Sequence, residues 1–320
     1  MTETIIIDGL AFALPMFIMA IGGIFSEKSG ITNLALEGLQ GFGAFTGAFF
    51  AVFMMQSAGV SSQLSYYLSF VIAALGGMLY SLVHVFLCIR LRANQVISGV
   101  VVNILAMALT SFLTKRINEG VFGQTSNKFV LGTSVRFSVP VLSEIPVLGG
   151  FFRNVYPFEI IIIVIAVIMW YVMYKTPFGM HLRACGDNPH AADAAGINVN
   201  RVRTAAVVIS GGLSAVAGMS YAYSISANFS PDIYLGFGYL SIAALIFGNW
   251  SILPTFFACI IFGFARSGGQ ALIQKLGMPS TYNDIVRILP YVLTLLLLIF
   301  FSKRNRAPRA LGEIYDKGKR

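Results

Sequence analysis

The side chains that could do chemistry in this 320-residue chain are few, and most of them sit inside long apolar runs. Glu37 is the one acid inside a candidate span away from its ends, apart from Glu159 at the mouth of another. Asn33 precedes it by one helical turn, Gln95 and Asn103 open a later span, and Asn249 lies in the break Gly248-Asn249-Trp250-Ser251. A carboxylate or amide in hydrocarbon costs free energy unless it pairs or lines a wet path. Glu37 and Asn33 therefore read as lining a transport path, with a buried structural carboxylate as the alternative, and the amides read as path residues or as interhelical links. Covalent chemistry finds no support. Ser214 in GGLSAVAG would need a histidine base, yet no histidine follows His190 and only His84 lies in a span. There is no G-x-x-x-x-G-K-[ST] phosphate loop and no H-E-x-x-H. Cys88, Cys185 and Cys259 form neither a disulfide pattern nor a metal-ligand spacing.

The elements that must position these residues are membrane helices. The chain is 57% hydrophobic and only 11% charged, with a mean hydropathy of +0.78, against about a quarter charged in soluble domains. Runs near the 20 residues that a bilayer requires occur at Ile5–Phe25, Asn33–Met55, Tyr66–Ile89, Val96–Leu113, Phe158–Tyr174, Thr204–Ala227, Phe237–Gly248, Ile252–Ala271 and Ile285–Phe301. The expected fold is an all-α integral membrane protein of about nine spans, eight to ten, in a single domain. Phe237–Gly248 is too short to cross alone and predicts a broken or re-entrant helix. Gly30, Gly38, Gly41, Gly43 and Gly47 interrupt the second run, predicting a break near Ser29-Gly30 and close backbone approach beyond it. The first run contains Asp8 and Pro15 and has no small-residue cleavage site, so it reads as a retained span.

Orientation follows from basic residues near span ends. If the spans alternate, Lys28, Arg90, Arg92, Lys175, Arg183, Arg201, Arg203 and the basic tail 302–320 share one side, 14 of the 22 lysines and arginines. That side is assigned to the cytoplasm, leaving 114–157 as the main external loop. The net charge of +9 then speaks for topology and anionic lipid, and not for nucleic acid.

The connector 175–203 carries its own signal. Asp187 and Asn188 can cap free backbone donors, Pro189 suits a first helical position, and Gly196 suits the residue past a helix end. A short helix Pro189–Ala195, surfaced by Ala191, Ala192, Ala194 and Ala195, is expected. Such a helix suits docking into a cleft of another protein, or lying on the membrane surface.

Five stretches, GGIFSEKSGITNLALEGLQGFGAF, TPFGMHLRACGDNPHAADAAGINVNRVR, GGLSAVAG, GYLSIAALIFGNW and RAPRALGEIYDKGKR, together resemble, in order and from about Leu14 to the end, the permease subunits of binding-protein-dependent ABC importers. The likeness is to the shorter of the two permeases in simple-sugar and nucleoside importers, within the wider branched-chain amino acid, ribose and nucleoside permease family. The resemblance implies a transport subunit without enzymatic activity or cofactor of its own, in a bacterial inner membrane. Its implied partners are a second related permease, a cytoplasmic ABC ATPase that binds the ATP, and an external solute-binding protein or lipoprotein. By position it assigns Gly186, Asn188, Ala191, Ala192 and Gly196 to a coupling element that docks the ATPase, and Asn33, Glu37 and Gly38 to the broken helix beside the path. Gln40 and Gln56 add polarity, and Ala35 stands where the family often has glycine. The resemblance favours a nucleoside, with riboflavin or a simple sugar as alternatives. A secondary transporter coupled to ions through Glu37 is the reading from a different class.

Overall fold

The chain is seen in a computed structural model that describes residues 2–57, 59–132, 136–144, 148–233, 236–279, 282, 286, 288–294, 296 and 306–318. Where the sequence is apolar on every side for more than five turns it forms long helices: α1 (Thr2–Lys28), α2 (Leu36–Ser57), α3 (Ser62–Val85), α4 (Gln95–Gly120) and α5 (Pro157–Lys175). Two short helices, α6 (Pro177–Asp187) and α7 (Pro189–Ala194), precede α8 (Val199–Ile225), the short α9 (Phe237–Phe247) and α10 (Ile252–Lys275). Among the described residues seven helices are long and apolar enough to cross a membrane, so the chain is a multi-pass membrane protein. The expected seventh span appears as the eleven-residue α9, about 16 Å long and too short to cross. The expected ninth, 285–301, lies in part outside the described residues.

α1 and α8 are the most buried of the seven. α1 packs on α8, α10, α9 and α5, and α8 packs on α2 and α3 as well. Lipid tails are as apolar as leucine, so close backbone packing must hold these helices together. The glycines supply it: a Cβ on Gly211 of α8 would stand 2.5 Å from the carbonyl oxygen of Gly77 in α3. The segment GGLSAVAG is therefore a helix crossing, and Ser214 within it is buried. α4 and α5 instead carry broad exposed apolar faces, including Val100, Ile104 and Met107 on α4 and Ile163, Val164 and Val167 on α5.

One end of the bundle gathers the basic connectors. Gly30 between α1 and α2, Arg92 between α3 and α4, and Asp193 in α7 are all bridged by the segment 306–318. At the other end a two-stranded antiparallel ribbon, β1 (Phe129–Val130) on β2 (Asn228–Phe229), pairs Phe129 with Phe229 over Phe45 of α2. The loop expected from Thr114 begins only after Gly120, because α4 continues through a polar last turn. Asn118 there donates to the carbonyl oxygens of Ser126 and Lys128, at 2.7 and 3.0 Å, and folds the chain back.

Candidate functional site

Two interruptions of the backbone meet deep in the bundle. α1 stops at Lys28, Gly30 turns with φ +95°, and an irregular stretch leads to the start of α2 at Leu36. From the opposite end the chain descends through β2 and starts α9 behind Gly236, at φ +90°. Both helices thus begin inside the bundle, where their first backbone N–H groups have no partner within the helix. The carboxylate of Glu37 faces the N–H groups of Gly236, Gly238 and Tyr239, which places a negative group at the positive end of α9. Gly238 makes this possible, since a Cβ there would lie 2.5 Å from Glu37 N and 2.6 Å from Glu37 Cβ. Asn103 of α4 completes the cluster: its Oδ1 accepts from Gly38 N at 2.7 Å, and its Nδ2 donates to Leu34 O at 2.8 Å and to Tyr239 Oη at 3.1 Å. Asn103 lies eight residues into α4, about 12 Å from its start, near the middle of a bilayer.

Glu37 is buried, and its Oε2 has no hydrogen-bond partner. Tyr239 is exposed, Asn103 half-buried, and both emerge among the exposed apolar side chains of α4. A polar patch at this depth marks a face turned to protein or to water, because lipid cannot satisfy it. Irregular backbone at mid-membrane is tolerated only where it is buried in protein or lines a cavity.

The other predicted residues fall in different places. Asn33 is fully buried, donates to Ser210 Oγ of α8 at 2.9 Å and accepts from Ala35 N at 3.1 Å, so it fastens the irregular stretch one step from Glu37. Gln95, also buried, accepts from Thr32 N at 2.7 Å at the basic end of α4. Asn249 stands apart on the basic face, where its Oδ1 accepts from Arg306 N at 2.7 Å. The structure therefore brings Glu37, Gly38 and Asn103 together, places Asn33 beside them, and keeps Gln95 and Asn249 away.

Sequence reasoning missed several partners. Glu27, next to Lys28, resembles half of an interfacial pair, yet its carboxylate is buried and accepts from Trp250 Nε1 at 2.5 Å and from the Asn33 N–H. It ties the α1–α2 break to the α9–α10 turn, where Asn249 and Trp250 both have positive φ. His84 bonds Ser98 Oγ at 2.8 Å and Thr32 O at 3.3 Å, which makes it a structural histidine. Buried Arg203 of α8 donates to Ser29 O at 3.0 Å and to Glu313 O at 3.1 Å.

The connector holds two capped helices where one was expected. Thr176 Oγ1 accepts from Gly179 N at 3.3 Å ahead of α6, and Asn188 Oδ1 accepts from Ala191 N at 3.0 Å ahead of α7. Proline at the first position of each is preset for the helix. α7 ends as expected, with Gly196 at φ +84°. The expected alanine surface is divided: Ala191, Ala194 and Ala195 are exposed, but Ala192 is buried against Cys185, Val199 and Tyr315. Burial pushes the Cys185 thiol up, so it packs as a small hydrophobe. Gly186 is buried because its Cα hydrogens face the carbonyl oxygen of Lys28, leaving no room for a Cβ.

A strap made by 306–318 holds this face together. Ala310 N donates to Gly186 O at 2.8 Å and Gly312 N to Gly30 O at 3.0 Å. Arg92 pairs with Asp316 at 2.7 Å and Lys317 with Asp193 at 3.9 Å, while Tyr315 lies 5.4 Å from the ring of His190. The backbone of α6, the side chains of α7 and the break that leads to Glu37 are thereby linked through one short segment.

Comparison with known proteins extends these observations. The chain is similar to the guanosine ABC transporter permease protein NupQ of Bacillus subtilis, 39% identical over 97% of this chain and 96% of the relative. It is also similar to the nucleoside ABC transporter permease protein NupC of Lactococcus lactis, 37% identical over 99% of this chain and 98% of the relative. A second permease of Bacillus subtilis, the guanosine ABC transporter permease protein NupP, is 25% identical over 95% of this chain and 82% of the relative. No solved structure matches the chain. Residues 5–301 match the family described as branched-chain amino acid transport system / permease component, and the chain is a member of that family of ABC transporter permeases.

Proposed function

We propose that this chain is the shorter permease subunit of an ATP-driven importer of nucleosides. It pairs with a second permease to enclose the path, receives substrate from an external binding protein or lipoprotein, and takes its energy from a separate cytoplasmic ATPase. The observation that carries the substrate class is the mid-depth cluster. The N-termini of α2 and α9 would attract a substrate carboxylate, but Asn103 and Glu37 of this chain already occupy them. A site whose positive ends are filled by its own acceptors suits a neutral ligand rich in hydrogen-bonding groups, as nucleosides are, and disfavours an amino acid. The names of NupQ and NupC support the same reading.

The basic face is assigned to the cytoplasm of a bacterial inner membrane by its lysines and arginines. α7 is the coupling helix, with Ala191, Ala194 and Ala195 toward the ATPase. Gly186, Asn188 and Gly196 shape the element, and Ala192 anchors it from within. Closure of the ATPase would move α7 and, through the strap, the break beside Glu37, shifting the subunit between outward-open and inward-open states. Neither a metal nor a cofactor has a part in this scheme, because ATP belongs to the partner.

The test is uptake in cells whose only route for nucleosides is the importer containing this chain. Labelled guanosine should accumulate and be displaced by excess unlabelled nucleoside, but not by leucine or ribose. Displacement by leucine or ribose at equal concentration would refute the substrate assignment.

A further inference from the structure

Two neighbouring cavities on the outside of the bundle remain unused by this account. One, of 490 Å³, lies on the basic face between the end of α1, α6 and the strap, and is lined by Lys28, Arg183, Arg306 and Arg309 with Asp187 as its one acid. None of these four cations makes an ion pair among the described residues. Arg183 bonds the carbonyl oxygen of Gly179 at 3.2 Å and lies over the ring of Tyr174. The walls are fixed on both sides by the Ala310–Gly186 and Arg306–Asn249 hydrogen bonds. The other cavity, of 840 Å³, is a largely apolar groove between α1, α5 and α10, walled by Phe17, Val167, Trp170, Ile252 and Phe256, with Glu159 as its one acid at the end away from the basic face.

The two are joined end to end. Trp170 and Ile252 close the groove at its basic end, Tyr174 Oη meets the Ile252 N–H at 3.5 Å, and the guanidinium on Tyr174 belongs to Arg183 in the charged pocket. Exposed Trp170, with the Lys175 ammonium over its ring, puts this junction at headgroup level, where tryptophan and lysine anchor helix ends. From Trp170 to Ile160 the groove runs ten residues along α5, about 15 Å, and it continues to Glu159 and to Val139, Phe152 and Val155 at the far end of the helix.

The geometry points to a binding site for an anionic phospholipid, its phosphate in the pocket of Lys28, Arg183, Arg306 and Arg309 and an acyl chain in the groove between α5 and α10. The net charge of the pocket selects an anionic headgroup over a zwitterionic one, and the groove selects a lipid over a free anion. Because Arg306 and Arg309 belong to the strap and Arg183 to α6, the bound headgroup would hold the strap against the connector that carries α7.

The test is native mass spectrometry of the full chain in detergent, titrated with dioleoyl phosphatidylglycerol or dioleoyl phosphatidylcholine, with inorganic phosphate as competitor. Phosphatidylglycerol should bind preferentially, and millimolar phosphate should not displace it. Each cation near a headgroup contributes enough that R183Q/R309Q should weaken phosphatidylglycerol binding about thirty-fold and leave phosphatidylcholine unchanged. V167W, which fills the groove and leaves the pocket intact, should weaken both lipids. Equal affinity for the two lipids, full displacement by phosphate, or an undiminished preference in R183Q/R309Q would overturn the site. So would copurification of a second permease whose helix occupies the groove in place of lipid.

Discussion

Replacing Asn103 by alanine tests the mid-depth cluster at its busiest side chain. The amide satisfies three groups, Gly38 N–H, Leu34 C=O and the Tyr239 hydroxyl. The first two are part-buried backbone groups at the start of α2. Each orphaned buried group costs about 1–3 kcal/mol, while interhelical hydrogen bonds in membranes average about 0.6 kcal/mol. The alanine variant should therefore lose about 2–4 kcal/mol, since two backbone groups are stranded beyond the loss of the bonds themselves. Tyr239→Phe removes only the third contact, at an exposed hydroxyl, and should cost under about 1 kcal/mol. Reversible unfolding of the full chain in mixed detergent micelles, followed by tryptophan fluorescence, measures both. Transport should separate them too: Asn103→Ala should abolish nucleoside uptake by displacing the start of α2, and Tyr239→Phe should alter uptake with assembly intact. Equal destabilisation by the two changes, or wild-type stability in Asn103→Ala, would refute the claim that the amide organises the site.

Further expectations concern the coupling face. Ala194→Glu, on the exposed side of α7, should abolish ATPase copurification while leaving the subunit stable. Ala192→Glu would force a carboxylate between Cys185, Val199 and Tyr315 and should lower stability by several kcal/mol, visible in detergent unfolding before any partner is added. Gly30→Ala should detach the strap, because the residue has φ +95° and its Cβ would meet Arg203 Nη2 at 2.5 Å. Left-handed strain alone costs about 1–2 kcal/mol, and protease sensitivity of the tail would report the release. Trp250→Phe should leave the Glu27 carboxylate without its indole donor and cost about 1–3 kcal/mol, whereas Trp250→Phe combined with Glu27→Leu should recover much of the loss.

The parts of this architecture written in local chemistry could be read from the sequence. The break at Ser29-Gly30 shows because glycine turns where other residues resist, and α7 is announced by Asn188, Pro189 and Gly196. The same cap-and-proline pattern at Thr176-Pro177 marks α6, but its closeness to the end of α5 makes it read as part of that span's end. What stayed hidden depends on distant pairing. Glu27 meets Trp250 across 223 positions, and nothing near either residue predicts it. The tail reads as a run of topology-setting charge, yet Ala310 and Gly312 fasten it through backbone N–H groups that no side-chain pattern reveals. The inward turn of Ala192 likewise follows from the packing of Tyr315, 123 positions away in sequence. Glu37 was legible as an unusual carboxylate, but its role at the start of α9 required the second half of the chain to come back beside the first.

The central claim, that this subunit forms a nucleoside path driven by a separate ATPase, is tested most directly by reconstitution into proteoliposomes with its second permease, the ATPase and the loaded binding protein. The account predicts that labelled guanosine accumulates only when ATP and all four components are present, and that an imposed proton or sodium gradient drives nothing. Accumulation driven by such a gradient through this chain alone, and indifferent to ATP, would contradict it and make Glu37 the coupling group of a secondary transporter.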